Sequence, residues 1–144
     1  AALRATDLDR QHLQSAFDAL QACYAREGKA SRAEEGAADA RFHLAIAEAS
    51  HNLVLLHTIR GLFDLLKRNV VTNIGGMYAL RSETRRMLVG QHQALFDAIM
   101  QGRADDARRI ASEHISYVQD VLEEREEESR RLARAQRRER PISR

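Results

Sequence analysis

Residues 39–52 read Asp39-Ala-Arg-Phe-His43-Leu-Ala-Ile-Ala-Glu-Ala-Ser-His-Asn52. Phe42, Ile46 and Ala49 recur at helical spacing, and no glycine or proline interrupts them, so the segment reads as helix. Asp39 and His43 stand at i and i+4 and share one helix face, where they can share one ion. Phe42 lies beside His43 and Ile46 one turn beyond it, so that face is an interior one. Gly36, one turn before Asp39, leaves room for something to approach.

Outward from this segment the same alternation of apolar stripe and end signal repeats. The helix begins near Ser31, where Ser-x-x-Glu with Glu34 resembles a capping box, and runs to about Ser50. Before it, Thr6-Asp7-Leu8-Asp9 opens a helix carrying Leu8, Leu13, Phe17, Leu20 and Tyr24, which Gly28 ends. After it, Asn52 caps a third helix with Leu55, Ile59, Leu62, Leu66 and Val70 in step, running to about Asn73 before Gly75-Gly76. A fourth starts at Ser82, buries Leu88, Leu95, Phe96 and Ile99, and stops at Gly102. Asp105 and Asp106 favour the positive end of a fifth, whose inner face is Ile110, His114, Tyr117, Val121 and Leu122. Beyond Leu122 the regular apolar spacing is lost. The expectation is an all-α antiparallel helical bundle of about five helices over residues 1–122, with 123–144 as a charged helix extension or tail.

Composition agrees. The chain has 144 residues, 44% of them hydrophobic and 31% charged, which suits one globular domain. One proline and seven glycines are too few for the turns of an all-β protein. Cys23, the single cysteine, excludes an intrachain disulfide and fits a reducing compartment. No apolar run is long enough to span a membrane. Eight Arg and six Glu lie in 123–144, which leaves 15 basic and 15 acidic residues in 1–122. The net +2 therefore belongs to the tail, and the body carries no clustered basic footprint for nucleic acid.

Polar side chains on inward stripes are the functional signal. His92 falls between Leu88 and Leu95, and His114 between Ile110 and Tyr117, each within an apolar stripe. Three buried histidines and an aspartate are costly unless paired or metal-bound. Nitrogen and oxygen donors without thiolate suit zinc, nickel, manganese or iron. Asn69, Asn73, Arg85 and Tyr117 lie where they could line a cavity beside the ion and bind a small anion. Glu48-x-x-His51 is half of a di-iron motif whose second copy is absent, and His12 and His57 read as partly exposed. No catalytic signature of a zinc protease, serine hydrolase or phosphate-binding loop occurs. Three readings follow from the residues: a metal-dependent binding module, a helical-bundle metalloenzyme of the three-histidine type, and a structural metal site in a dimerisation domain.

The stretch Asp39–Asn52, together with Val54-Leu-Leu, Gln91-His92-Gln-Ala-Leu-Phe-Asp-Ala-Ile99 and Asp106-Ala-Arg-Arg-Ile-Ala-Ser-Glu-His114, resembles the FadR C-terminal (FCD) effector-binding domains of GntR-type transcription regulators. The resemblance is strongest to regulators of lactate utilisation and extends to those of the pyruvate dehydrogenase complex. It implies a six- to seven-helix domain in which Asp39, His43, His92 and His114 hold a divalent metal, zinc first. It also implies a small 2-hydroxy- or 2-keto-carboxylate effector, L-lactate before pyruvate, and a cytoplasmic homodimer. DNA binding would belong to an N-terminal winged helix-turn-helix that these residues do not include. Residues 1–5 look like the last turn of an earlier helix, so most of the family's first effector-domain helix is expected to be missing.

Overall fold

The computed structural model describes residues 1–26, 32–69 and 82–139. Among the described residues there are five α-helices and no strand: α1 (Asp7–Ala25), α2 (Arg32–Ala49), α3 (Leu53–Asn69), α4 (Ser82–Met100) and α5 (Ala104–Glu139). The all-α bundle is the observed fold.

The helix ends follow from local chemistry. The Thr6 N–H donates to Asp9 Oδ2 at 2.8 Å and the Asp9 N–H to Thr6 Oγ1 at 3.2 Å, which completes the capping box of α1. Asn52 Oδ1 accepts from the Leu55 N–H at 3.1 Å at the start of α3. Between α2 and α3 the chain turns tightly, with His51 at φ 50°. Gly102 ends α4 at φ 69°, donating to the Ile99 carbonyl at 3.1 Å, while Arg103 N–H reaches the Ala98 carbonyl at 2.8 Å. This left-handed position after a helix is where glycine is least strained. Arg10 Nη1 donates to the Met100 carbonyl at 2.8 Å, which ties α1 to the negative end of α4. The expected signals at Gly28, Ser31, Val70, Asn73 and Gly75-Gly76 lie outside the described residues.

α1 packs on α2 and α4, α4 on α5, and α2 on α3. The shared core takes Leu13, Phe17 and Leu20 from α1, Phe42 from α2, and Leu95 and Ile99 from α4. Phe17 stacks on Phe96 with centroids 4.1 Å apart and meets Phe42 at 5.4 Å. These rings close one side of the space into which α2 and α4 project their histidines.

Three expectations about apolar faces need correction. Leu8 is exposed, because the first turn of α1 faces solvent around its cap. Leu55 and Leu62 of α3 are also exposed, since among the described residues α3 has α2 as its main partner. Leu122 is exposed where α5 leaves the bundle. Beyond it α5 continues as helix to Glu139, with Arg130 on Glu126 at 2.6 Å and Arg131 on Glu127 at 3.5 Å, both i, i+4 pairs. No helix among the described residues is long and apolar enough to cross a membrane.

Candidate metal centre

Asp39 and His43 project from one face of α2, His92 from the middle of α4, and His114 from α5. The structure brings all four together. Nε2 of His43 and Nε2 of His92 are 3.2 Å apart. Asp39 Oδ1 lies 3.2 Å from His92 Nε2 and 3.7 Å from His43 Nε2. The ring centroids of His114 are 5.2 Å from His43 and 4.7 Å from His92. One nitrogen from each of the three imidazoles falls within 4.8 Å of the others.

His92 and His114 are buried in this cluster, and Asp39 and His43 are partly exposed. His92 is 1% and His114 7% exposed. Burial drives the His43 and His114 pKa values down to about 4. His92 is held well below the usual histidine range by burial first, then by the neighbouring His43 and His114. At neutral pH the three rings are therefore uncharged and offer lone pairs beside a carboxylate. Donors that share one zinc at 2.0–2.1 Å in a tetrahedron sit about 3.4 Å apart, and the His43–His92 and Asp39–His92 separations already match that spacing. The donor set and its geometry thus fit a divalent ion.

Each of the two most buried imidazoles has an outer partner. Tyr24 Oη lies 2.8 Å from His92 Nδ1. Gln91 Oε1 lies 2.9 Å from His114 Nδ1. Tyr24 is itself braced: the Arg85 guanidinium lies 5.5 Å from its ring centroid, donates to its carbonyl at 3.2 Å and pairs with the buried Glu35 at 2.7 Å. Burial, with the carboxylates of Asp39 and Glu35, pushes the Tyr24 phenol above its ordinary range, so it keeps its proton.

A cavity of about 580 Å³ opens beside the cluster, bordered by His43 and His114 and walled by Ile46, Ile59, Leu95 and Ile115 among others. Of the residues expected to contact a bound anion, Arg85 is engaged by Glu35 and Tyr24. Tyr117 is half-buried against Leu88 and Val121. Asn73, and the side chain of Asn69, lie outside the described residues. The Glu48–His51 pair divides between separate partners, Glu48 meeting Arg60 at 3.0 Å and His51 meeting Asp9 at 2.8 Å. Sequence reasoning passed over Tyr24, Gln91 and Glu35 as site residues. The one available signal was a hydroxyl-bearing ring at the end of the α1 stripe, which reads equally as core.

The FCD domain family matches residues 1–117. The chain is 47% identical over 109 residues to the putative L-lactate dehydrogenase operon regulatory protein of Escherichia coli (strain K12), covering 76% of this chain and 39% of that protein. The protein of the same description from Shigella flexneri matches to the same extent. The Glc operon transcriptional activator of Escherichia coli (strain K12) is 30% identical over 111 residues, 77% of this chain and 43% of the relative. The chain thus spans about two fifths of the length of these curated relatives. With a family match over residues 1–117 and an all-α bundle, the chain belongs to the FCD domain family.

Proposed function

We propose that this chain is the effector-sensing domain of a GntR-type transcription regulator. It binds one divalent metal through Asp39, His43, His92 and His114, with zinc the first choice, and a small carboxylate beside it. L-lactate is the first choice of effector and pyruvate the second; one relative is described as a putative L-lactate dehydrogenase operon regulatory protein. Occupancy would alter the geometry of a homodimer and so the DNA affinity of a winged helix-turn-helix domain. The observation that carries this reading is the cluster itself. Three imidazoles kept neutral by burial converge with a carboxylate from three helices, at the edge of a cavity of about 580 Å³.

When bound, the ion would supply positive charge that offsets a carboxylate. The chain's own groups do the rest. Arg85, Tyr117, Asn69 and Asn73 remain the candidates to read the effector's other atoms, although Arg85 and Tyr117 are not among the residues that line the cavity beside His43 and His114. A 2-hydroxy- or 2-keto-acid presents two adjacent oxygens to such a site, whereas propionate presents only its carboxylate.

Calorimetry on metal-loaded and chelator-stripped protein tests the proposal, with lactate, pyruvate, glycolate and propionate as ligands. Lactate should bind the loaded form and bind propionate's site at least about tenfold more tightly than propionate does, a difference of about 1.4 kcal/mol. Equal lactate affinity with and without metal would remove the ion from recognition. Propionate binding as tightly as lactate would remove the second oxygen.

A further inference from the structure

From Leu122 to Arg137 every described side chain of α5 is exposed, so this stretch is a rod that leaves the bundle. Its charges are sorted by sign. Residues 123–128 hold five Glu and one Arg, a net −4, and residues 130–139 hold five Arg and one Glu, a net +4. We propose that the rod is a docking surface for the same rod of a second copy of this chain, the two lying antiparallel. The proposal does not rest on the metal centre. It supplies a contact surface for the homodimer of the reading above, and either can fail without the other.

A helix standing alone in water is best served by charges that alternate in sign every turn, because neighbours at i, i+4 then attract. Here that happens only where the two blocks meet, with Arg130 on Glu126 at 2.6 Å and Arg131 on Glu127 at 3.5 Å. On either side of that junction the same spacing sets like charges together, at Glu123–Glu127, Glu124–Glu128 and Arg130–Arg134, which disfavours an isolated helix. Among the described residues Glu124, Glu128, Arg134 and Arg137 make no ion pair. The chain cannot bring its own blocks together, because they lie in series on one helix. Glu124 and Arg134 stand about 15 Å apart along the axis.

A second copy resolves the mismatch in one orientation only. Laid parallel, each block faces its like. Laid antiparallel, each block faces its opposite, so charge sets the orientation as well as the partner. Leu122, Ser129, Leu132 and Ala133 stand at i, i+7, i+10 and i+11 and form an uncharged stripe that can serve as the seam. Leu132, which is 59% exposed, gains most from being covered. The rod from Glu123 to Glu139 is about 25 Å long. Two such rods bury less than the about 1,200 Å² of a standard interface. The pairing is therefore weak, sensitive to salt and absent in dilute solution.

Sedimentation velocity of the full chain over a concentration series tests this, in low salt and in about 1 M salt, where the Debye length shrinks to about 3 Å. Two charge-reversed variants accompany wild type. One carries Glu123→Arg, Glu124→Arg and Glu128→Arg, and the other Arg131→Glu, Arg134→Glu and Arg137→Glu. Wild type should self-associate in low salt, with an association constant at least about tenfold lower in high salt. Each variant alone should associate at least about tenfold more weakly than wild type, since both its blocks then carry one sign. An equimolar mixture of the two should regain association to within about threefold of wild type. That recovery also shows that neither variant has lost its fold, and the salt dependence of wild type stands without them. A wild type that stays monomeric at every concentration overturns the pairing; if that monomer binds duplex DNA, the occupant of the basic block is nucleic acid instead. A mixture that associates no better than either variant overturns it too. Wild type and both variants dimerising alike at either salt would also overturn it, and would leave a homodimer held through another face of the bundle.

Discussion

The decisive residues are imidazoles held in an environment that refuses their charged form. His43 and His114 titrate near 4 in the folded metal-free chain because burial disfavours the imidazolium, and His92 is pushed down for the same reason. An unfolded histidine titrates near 6.5. Between about 4 and 6.5 the unfolded chain therefore binds more protons than the folded one, so stability rises with pH across that window and is lost as pH falls through it. Denaturant unfolding of chelator-stripped protein should show a loss on the order of 2 kcal/mol for each of His43 and His114 between pH 7 and pH 5, with His92 acting in the same direction. Stability unchanged over that interval would contradict the burial argument. The clustering of these four residues was legible in the sequence because His92 and His114 interrupt apolar stripes and Asp39 and His43 share one face. Tyr24 was not, because a tyrosine on a core stripe looks like packing. Its partner is 68 residues away in the chain, and no periodicity encodes that distance. Arg85 was placed near the site by its helix face, but not its engagement with Glu35, which depends on the approach of α2 to α4.

At the scale of elements, the helices divide into those that hold the site and those that extend from it. α1, α2 and α4 share the core around Phe17, Phe42 and Phe96, and α5 brings His114 against it. The capping box at Thr6, the Asn52 cap and the stop at Gly102 were all readable, since each is a local hydrogen-bonding requirement met by neighbours within a few residues. The exposure of Leu55 and Leu62 was not, because a helical stripe shows which side is apolar and not whether a partner covers it. The length of α5 lay open for a related reason. Glu and Arg residues after Leu122 give i, i+4 support that requires no tertiary partner. Deleting residues 125–144 should therefore lower the far-UV helical signal while changing the unfolding free energy by less than about 0.5 kcal/mol, as for surface changes that touch nothing buried. A larger loss of stability would show that the extension packs on the bundle.

At the scale of the whole molecule, the bundle is a frame that carries four polar side chains, the proposed ligands, from three helices to one point. Helix order, caps and core stripes place that point, and a cavity beside it is bordered by His43 and His114. The fold tolerates this polar centre because its partners are built in: Tyr24 on His92, Gln91 on His114 and Asp39 among the rings. The most direct measurement of the central claim is a zinc titration of the chelator-stripped chain by calorimetry, run beside Asp39→Ala, His43→Ala, His92→Ala and His114→Ala. The account expects one zinc per wild-type chain, with affinity falling at least about tenfold in each variant, a loss of about 1.4 kcal/mol or more. A wild type that takes up no zinc, or His92→Ala and His114→Ala variants that retain it undiminished, would contradict the account.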